Sequence, residues 1–299
     1  MKQIIKICVL LMCFYAMKAQ ALSILRAEDK VVGQRLIYTT FSDYFPFGYG
    51  LYENKKEPVL ESVFKDAMSD LLQNRDELTV FKYYPTVGDA IFDMKDGKTD
   101  VFFGAFYSTE AFNDLDFVFP AILNNPIHLI MLPSKIAGVK QADDLKNLKG
   151  VYALNEHFGD YMLKTFSELN MKAVQDEDEA YESLFTGEAD YILGSYYYHF
   201  AKLVEKGLKN EVAFSSKPLW NMPMFVATSK NIENRKMVHD YFRRLASSEN
   251  FKKKILEKIK QLIEEKEKQS IGVVPPMYVR QSTGEELTPA DERTTKGEK

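Results

Sequence analysis

The chain alternates between two hydrophobic periods. Short apolar runs of the strand type, such as residues 101–103 and 191–193, are separated by segments in which apolar residues recur every three or four positions. Segments 86–94, 158–169 and 235–246 show this helical spacing. Strands that alternate with helices along the whole chain predict the α/β class, with largely parallel sheets.

The same two hydrophobic patterns predict the other strands and helices. Strands are predicted at 35–40, 78–84, 101–103, 117–119, 127–132, 151–154, 191–193, 212–214 and 224–228, and helices at 59–72, 86–94, 158–169, 179–185, 196–208, 235–246 and 251–265. The polar, aperiodic end of the chain, residues 269–299, is predicted to be a largely disordered tail.

The first 21 residues have the pattern of a cleavable export signal. A positive start is followed by an apolar stretch, residues 7–16, that is too short to span a membrane. Ala19 and Ala21 place small residues at the −3 and −1 positions of a cleavage site. Because Met12 stands where a lipoprotein signal requires a small residue before Cys13, we expect cleavage after Ala21 and export to the periplasm.

Removal of this segment changes the net charge and the cysteine content of the chain. The 299 residues include 39 basic and 43 acidic ones, a formal charge of −4 that offers no basic surface for nucleic acid. The only two cysteines, Cys8 and Cys13, lie in the predicted signal together with three lysines. The mature chain would therefore carry 36 basic residues against 43 acidic ones, a formal −7, and no cysteine, which excludes disulfides and thiol catalysis.

Metal and cofactor motifs are not found in the sequence. The four histidines, at positions 128, 157, 199 and 239, have no metal-ligand spacing. Neither a Gly-rich phosphate loop nor a Gly-x-Ser-x-Gly elbow occurs. We therefore predict no metal and no cofactor.

Five short motifs follow one another in a recognisable order. They are Tyr44-Phe45-Pro46-Phe47, Asp96-Gly97-Lys98-Thr99-Asp100 followed by Gly104, Asp116-Phe117-Val118-Phe119-Pro120, Leu148-Lys149-Gly150-Val151, and Gly187-Glu188-Ala189-Asp190. In this order they resemble the periplasmic solute-binding proteins of the amino-acid type, solute-binding protein family 3. The resemblance covers about residues 34–265. It implies the type II periplasmic binding fold, in which two α/β lobes, the second inserted into the first, close on a ligand by a hinge motion.

The resemblance also implies an organisation and partners. It places the first lobe at residues 22–125 and 219–268 and the inserted second lobe at 126–218. The chain would cross between the lobes near 124–126 and 218–223. The implied partners are a small-molecule solute and an ABC-transporter permease in the inner membrane, and we expect a monomer that does not bind nucleic acid.

The family's anchors for an α-amino acid are missing. Typical members have a Thr-x-x-Arg element whose arginine grips the ligand's α-carboxylate, but Ala111 stands at that position. The aspartate that usually takes the α-ammonium is replaced by Ser195. Lys82, Lys98 or another base would have to compensate. A standard α-amino acid is therefore not expected to bind in the family's usual way.

The predicted ligand contacts lie in loops that would face the cleft between the lobes. Aromatic side chains with a few polar groups are typical of ligand pockets, and loops at the carboxyl ends of strands face such crevices. Ordinary packing is the alternative for the aromatic residues, and helix capping is the alternative for Asn155. The predicted contacts are Tyr44, Phe47, Gly104, Phe106, Ser108, Asn155, His157, Phe158, Ser195 and Tyr196.

Three functions remain open from the sequence. The first is a binding protein that delivers a small polar or aromatic solute to an ABC importer. The second is a periplasmic enzyme on the same scaffold, since cyclohexadienyl dehydratases resemble these binding proteins; Glu110 or Glu156 would then be the general acid. The third is a ligand-sensing partner of a membrane receptor.

Overall fold

The computed structural model of the protein describes residues 35–41, 43–48, 63–65, 79–139 and 142–268. The predicted signal peptide, most of the predicted helix at 59–72 and the predicted tail lie outside these residues. The strands are β1 (Leu36–Thr39), β2 (Thr79–Phe81), β3 (Val101–Phe106), β4 (Leu115–Met131), β5 (Gly150–Ala153), β6 (Lys172–Val174), β7 (Tyr191–Ser195), β8 (Ala213–Phe214) and β9 (Trp220–Ser229). The α-helices are α1 (Val87–Lys95), α2 (Thr109–Asp114), α3 (Asp160–Glu168), α4 (Glu177–Thr186), α5 (Tyr196–Glu205), α6 (Arg235–Ala246) and α7 (Glu249–Lys268).

The strands form one mixed sheet in the order β2-β1-β3-β9-β4-β7-β5-β6, with β8 beside β4. The outer pairs β1/β2, β1/β3, β5/β6 and β5/β7 are parallel. The pairs that involve β4 or β9 are antiparallel. The expectation of largely parallel sheets is therefore wrong at the centre, because two long antiparallel strands join the two parallel regions.

Strand β4 replaces two predicted strands. The sequence predicts separate strands at 117–119 and 127–132, stopped by Pro120, but the structure has one 17-residue strand. Its pairing with β9 shifts register between Val118 and Leu123. Since proline cannot donate to a strand ladder, this irregularity lets β4 pass Pro120 without ending.

The helices largely follow their sequence signals. Thr86 accepts a hydrogen bond from the Asp89 backbone N–H at 3.1 Å and caps α1, as its position before an apolar repeat predicts. Helix α6 has the predicted bounds, and α5 ends at Glu205, before the predicted residue 208. None of the helices in the described ranges is long and apolar enough to cross a membrane.

The buried apolar residues form one large cluster in the first lobe, which also takes in Tyr198 and Ala201 of α5, and two smaller ones in the second. Leu36, Phe103 and Phe242 belong to the core of the first lobe, which is built on β1–β3 with the outer parts of β4 and β9. Leu184 and Ile192 belong to a core of the second lobe. Strands β4 and β9 pair with each other, β9 also pairs with β3 and β4 with β7, so these two strands join the two predicted lobes. The boundaries at 125/126 and 218/219 stay predictions.

Candidate functional site

Tyr44 contacts residues of the predicted second lobe and Asn125 of β4. Its ring is 1% exposed and stacks on Tyr198 of α5, with 5.2 Å between ring centroids. The hydroxyl donates to Glu156 Oε1 at 3.3 Å and accepts from Asn125 Nδ2 at 3.0 Å. Burial, and then the charge of Glu156, raises the pKa of Tyr44 well above its ordinary value, so the hydroxyl keeps its proton.

Glu156 is the centre of this buried network. Its Oε1 accepts from the Ser195 backbone N–H at 2.5 Å, and its Oε2 accepts from His199 Nε2 at 2.9 Å. His199 Nδ1 is in turn 2.8 Å from the Tyr181 hydroxyl. A Cβ atom at Gly194 would lie 2.1 Å from His199 Nε2, so glycine is required for the pair to meet. Both carboxylate oxygens of Glu156 are thus used by the protein itself.

Two neighbouring cavities lie where the lobes meet. The larger, of about 190 Å³, is lined by Thr40, Phe41, Asp43, Tyr84, Pro85, Thr86, Val87, Ala90, Phe102, Asn155, His157 and Tyr198. The smaller, of about 110 Å³, is lined by Phe41, Val87, Ile91, Phe102, Ala105, Phe106, Ser108, Ala111, Leu115, Phe117, His157 and Phe158. Because four residues line both, we treat them as one cleft, with the larger cavity as its polar end and the smaller as its apolar end.

The polar end has two carboxylates around one ammonium. Lys202 Nζ lies 3.1 Å from Asp43 Oδ2 and 3.5 Å from Glu177 Oε1. Asn155 Nδ2 and the Tyr198 hydroxyl donate to Glu177 Oε2 at 2.6 and 3.0 Å. Burial alone would raise the pKa of Glu177, but these hydrogen bonds and the Lys202 charge lower it below its ordinary value. Glu177 is therefore ionised at neutral pH.

Among the described residues, no lysine or arginine lines the apolar end. Ala111 is part of its wall, and Ser108 Oγ accepts from the Ala111 backbone N–H at 3.1 Å. His157 stacks on Phe41 with 5.1 Å between ring centroids. Burial lowers the pKa of His157, so its imidazole is neutral at pH 7.

A second contact between the lobes lies beside the apolar end. Asp160 Oδ2, at the start of α3, accepts from both the backbone N–H and the hydroxyl of Thr109, each at 2.8 Å. These bonds lower the pKa of Asp160. A Cβ atom at Gly159 would lie 2.7 Å from the Tyr107 carbonyl oxygen, so the close approach of the two lobes requires glycine here.

Half of the predicted ligand contacts line the cleft. Asn155 and His157 are at the polar end, and Phe106, Ser108, Phe158 and again His157 are at the apolar end. Contact of any of them with a ligand stays a prediction.

The other five predicted contacts do not line the cleft. Tyr44 and Ser195 lie in the Glu156 network, and Phe47 is buried against Tyr44 and Phe64. Gly104 has a φ of +81°, and a Cβ there would lie 2.8 Å from Met224 Cε. The Tyr196 ring contacts the rings of His128, Phe200 and Phe214 inside the second lobe.

Sequence reasoning missed several cleft residues. Phe41 lies in the same aromatic loop as Tyr44, three residues earlier, and contributes to both cavities. Tyr198 belongs to the run of rings from which Tyr196 was chosen. Both groups therefore carried a sequence signal, and Phe41 and Tyr198 rather than Tyr44 and Tyr196 line the cavities. Tyr84 and Val87 had no comparable signal.

A wider, more apolar cavity of about 690 Å³ adjoins Phe106 and the Thr109–Asp160 contact. It is open to solvent, and several of its aromatic side chains are exposed: Tyr107, Phe112, Phe119 and Tyr161. Within the described part of the chain, no group of three or more histidine, cysteine or acidic side chains is placed to hold a metal ion.

Comparison with solved structures identifies the fold. One neighbour is the ancestral amino-acid-binding protein AncCDT-1, a precursor of cyclohexadienyl dehydratase, with a TM-score of 0.52, 18% identity, and coverage of 78% of this chain and 98% of that one. The chain has the periplasmic-binding-protein fold. The substrate-binding protein AbpA of an amino-acid ABC transporter from Streptococcus pneumoniae, bound to L-arginine, gives a TM-score of 0.53 at 16% identity and covers 79% and 95%.

A histidine kinase sensor domain shares this periplasmic-binding-protein fold, with a TM-score of 0.54, 14% identity, and coverage of 82% and 99%. No sequence-family profile matches the chain, and no curated protein matches it in sequence. The two-lobed α/β architecture predicted from the motif order is confirmed, and the fold is a scaffold used by binding proteins.

Proposed function

We propose that this protein is an extracytoplasmic binding protein that encloses a small polar or aromatic solute between its lobes and delivers it to an ABC importer. The observation that carries the proposal is the cleft, because residues of both lobes form its walls. Closing two lobes over such a site is the hinge motion of periplasmic binding proteins. The predicted export signal supports a periplasmic location, and the amino-acid transporter protein AbpA supports the link to transport.

The cleft does not favour a standard α-amino acid held in the usual way. Ala111, at the position of the clamp arginine, forms part of the apolar wall. Lys82 and Lys98 do not compensate, because both pair with Asp93 and Lys98 also pairs with Asp96. A ligand carboxylate buried at the apolar end would have no positive partner among the described residues, which is costly.

A thermal-shift screen of the purified mature chain tests the proposal. A ligand present at 100 times its Kd is expected to stabilise the protein by about 2.7 kcal/mol, and native mass spectrometry would detect a carried-over solute. Val87→Trp fills the cleft, since Val87 lines both cavities, and should abolish the shift. Val139→Trp, at a half-buried position outside the cleft, is the matched control. A shift that survives Val87→Trp undiminished would contradict the site, and a screen without any hit would contradict the function.

For each of the two other functions that the sequence left open, one structural neighbour is of the corresponding kind. AncCDT-1 is a precursor of a dehydratase, so turnover of prephenate or arogenate by the mature chain would favour the enzyme. Of the two predicted acids, Glu156 does not suit the role, because both its oxygens accept hydrogen bonds from the protein and it lines neither cavity. The sensor-domain neighbour suggests a receptor partner. Co-purification with a permease rather than a receptor would separate delivery from sensing.

A further inference from the structure

The charges of the described residues around the polar end of the cleft do not balance. Asp43 and Glu177 share Lys202, which leaves one negative charge in excess. The cluster of charges beside Tyr84 has no net charge, because its two lysines, Lys82 and Lys98, pair with two aspartates. A ligand that brings one positive charge to the polar end would restore the balance.

Aromatic rings face the same end. Phe41, Tyr84 and Tyr198 all line the larger cavity. The faces of such rings attract cations within about 6 Å of the ring centre. The structure already shows the effect at this place, since Lys202 Nζ lies 5.5 Å from the centroid of the Tyr198 ring. The polar end therefore suits an organic ammonium better than a neutral or anionic group.

The opposite end excludes a carboxylate for two independent reasons. The described residues of its wall are apolar side chains, the neutral His157, and Ser108, whose hydroxyl caps α2. The adjoining Thr109 already binds a carboxylate supplied by the protein, because Asp160 of the second lobe occupies both of its donors. The contact between the lobes at this end is thus completed without a carboxylate from the ligand.

We propose that the cleft selects a small organic cation with an apolar group and no carboxylate, such as an arylalkyl amine, with the ammonium at the Asp43 end and the apolar group against Ala111. This proposal rests on the proposed binding function. The two cavities, of about 190 and 110 Å³, share four lining residues, so one small ligand could extend from the polar end to the apolar end. The amine reverses the family's orientation, in which a carboxylate occupies the Ala111 end.

Four related compounds test the substrate class by titration calorimetry with the full mature chain. They are 2-phenylethylamine, 2-phenylethanol, phenylalanine and 3-phenylpropionate, which share one ring and differ in charge. We expect 2-phenylethylamine to bind most tightly and phenylalanine at least about tenfold more weakly, because its carboxylate would be buried without a positive partner. Phenylalanine binding as tightly as the amine, or no binding of the amine at all, would overturn the substrate class. Hits in the wider metabolite screen would then still support the binding function.

Three variants locate the binding. Asp43→Asn should weaken 2-phenylethylamine about two- to fivefold, as for a solvent-screened charge pair, and leave 2-phenylethanol unchanged. Asp143→Asn is the matched control, because Asp143 is an exposed aspartate paired with Lys146 at 2.8 Å, as Asp43 is paired with Lys202. Tyr161→Ala removes an exposed ring of the wider cavity and should leave binding unchanged. Loss of binding in Tyr161→Ala but not in Asp43→Asn would overturn the assignment.

Discussion

Two buried tyrosines allow the contribution of the Glu156 network to be measured. Tyr44→Phe and Tyr191→Phe each remove one hydroxyl from a fully buried ring; the rings are 1% and 0% exposed. The Tyr44 hydroxyl bonds to Glu156 and Asn125. The Tyr191 hydroxyl has no hydrogen-bond partner among the described residues, and burial, followed by the nearby charge of Asp190, raises its pKa to about 12. The same chemical change should therefore have different effects.

The magnitudes follow from what each hydroxyl does. Tyr44→Phe loses a hydrogen bond to a charged group and leaves the buried Asn125 amide with one fewer acceptor, for a loss of about 2–3 kcal/mol. Ser195 and His199 stay bonded to Glu156, which limits the loss. Tyr191→Phe removes a buried polar group that is already unsatisfied, so it should be neutral or stabilise by up to about 1 kcal/mol.

Urea and thermal unfolding of the mature chain measure both variants. For a chain of this size, each kcal/mol shifts Tm by about 2–4 °C, so Tyr44→Phe should lower Tm by about 4–12 °C. Tyr161→Phe is the control, because Tyr161 is 68% exposed and its substitution should stay within about 0.5 kcal/mol of the parent. Equal effects of Tyr44→Phe and Tyr191→Phe would show that the network does not stabilise the contact between the lobes.

Three further outcomes follow from the same region. Burial lowers the pKa of His157 in the folded protein below its unfolded value of about 6.5, so below that pH the unfolded chain binds more protons than the folded one. The free energy of unfolding should therefore fall as pH drops from 7 to 5.5, and His157→Gln should reduce this dependence in thermal melts. Asp160→Ala removes two hydrogen bonds between the lobes and should increase the radius of gyration measured by X-ray scattering. An unchanged scattering profile would show that the Thr109–Asp160 contact does not hold the lobes together. Ser195→Asp should destabilise the chain, and adding Glu156→Gln should recover part of the loss in a double-mutant cycle; additive losses would contradict their direct coupling.

The fold was predictable where the pattern is local. Helix α6 matches its predicted bounds because one apolar stripe, with Val238 and Phe242 buried, sets its length. Strand β4 was divided wrongly because Pro120 is a local stop signal, whereas its pairing with β9 is not local. Tertiary pairing overrides such a signal when the partner strand can shift register.

The sequence predicted which loops form the candidate site, but not which of their side chains line the cleft. The loop that carries Asn155, His157 and Phe158 was identified from its place after a strand, and all three residues line the cleft. Tyr44 was expected beside the ligand, but its hydroxyl partners lie 81 and 112 residues away in the chain, so no local pattern reveals them. Tyr198 rather than Tyr196 reaches the cleft because successive helical residues point in different directions.

Ser195 and the buried Glu156 depend on each other in the structure. Ser195 is fully buried; its N–H donates to Glu156 Oε1, and its hydroxyl donates to Asn125 Oδ1 at 2.7 Å. An aspartate at this position would replace that donor with an acceptor facing the Asn125 carbonyl oxygen. It would also add a second carboxylate next to Glu156, and two such groups in a buried site cannot both stay ionised. Serine at position 195 is therefore compatible with the buried Glu156–Tyr44 contact, whereas an aspartate there would disrupt it.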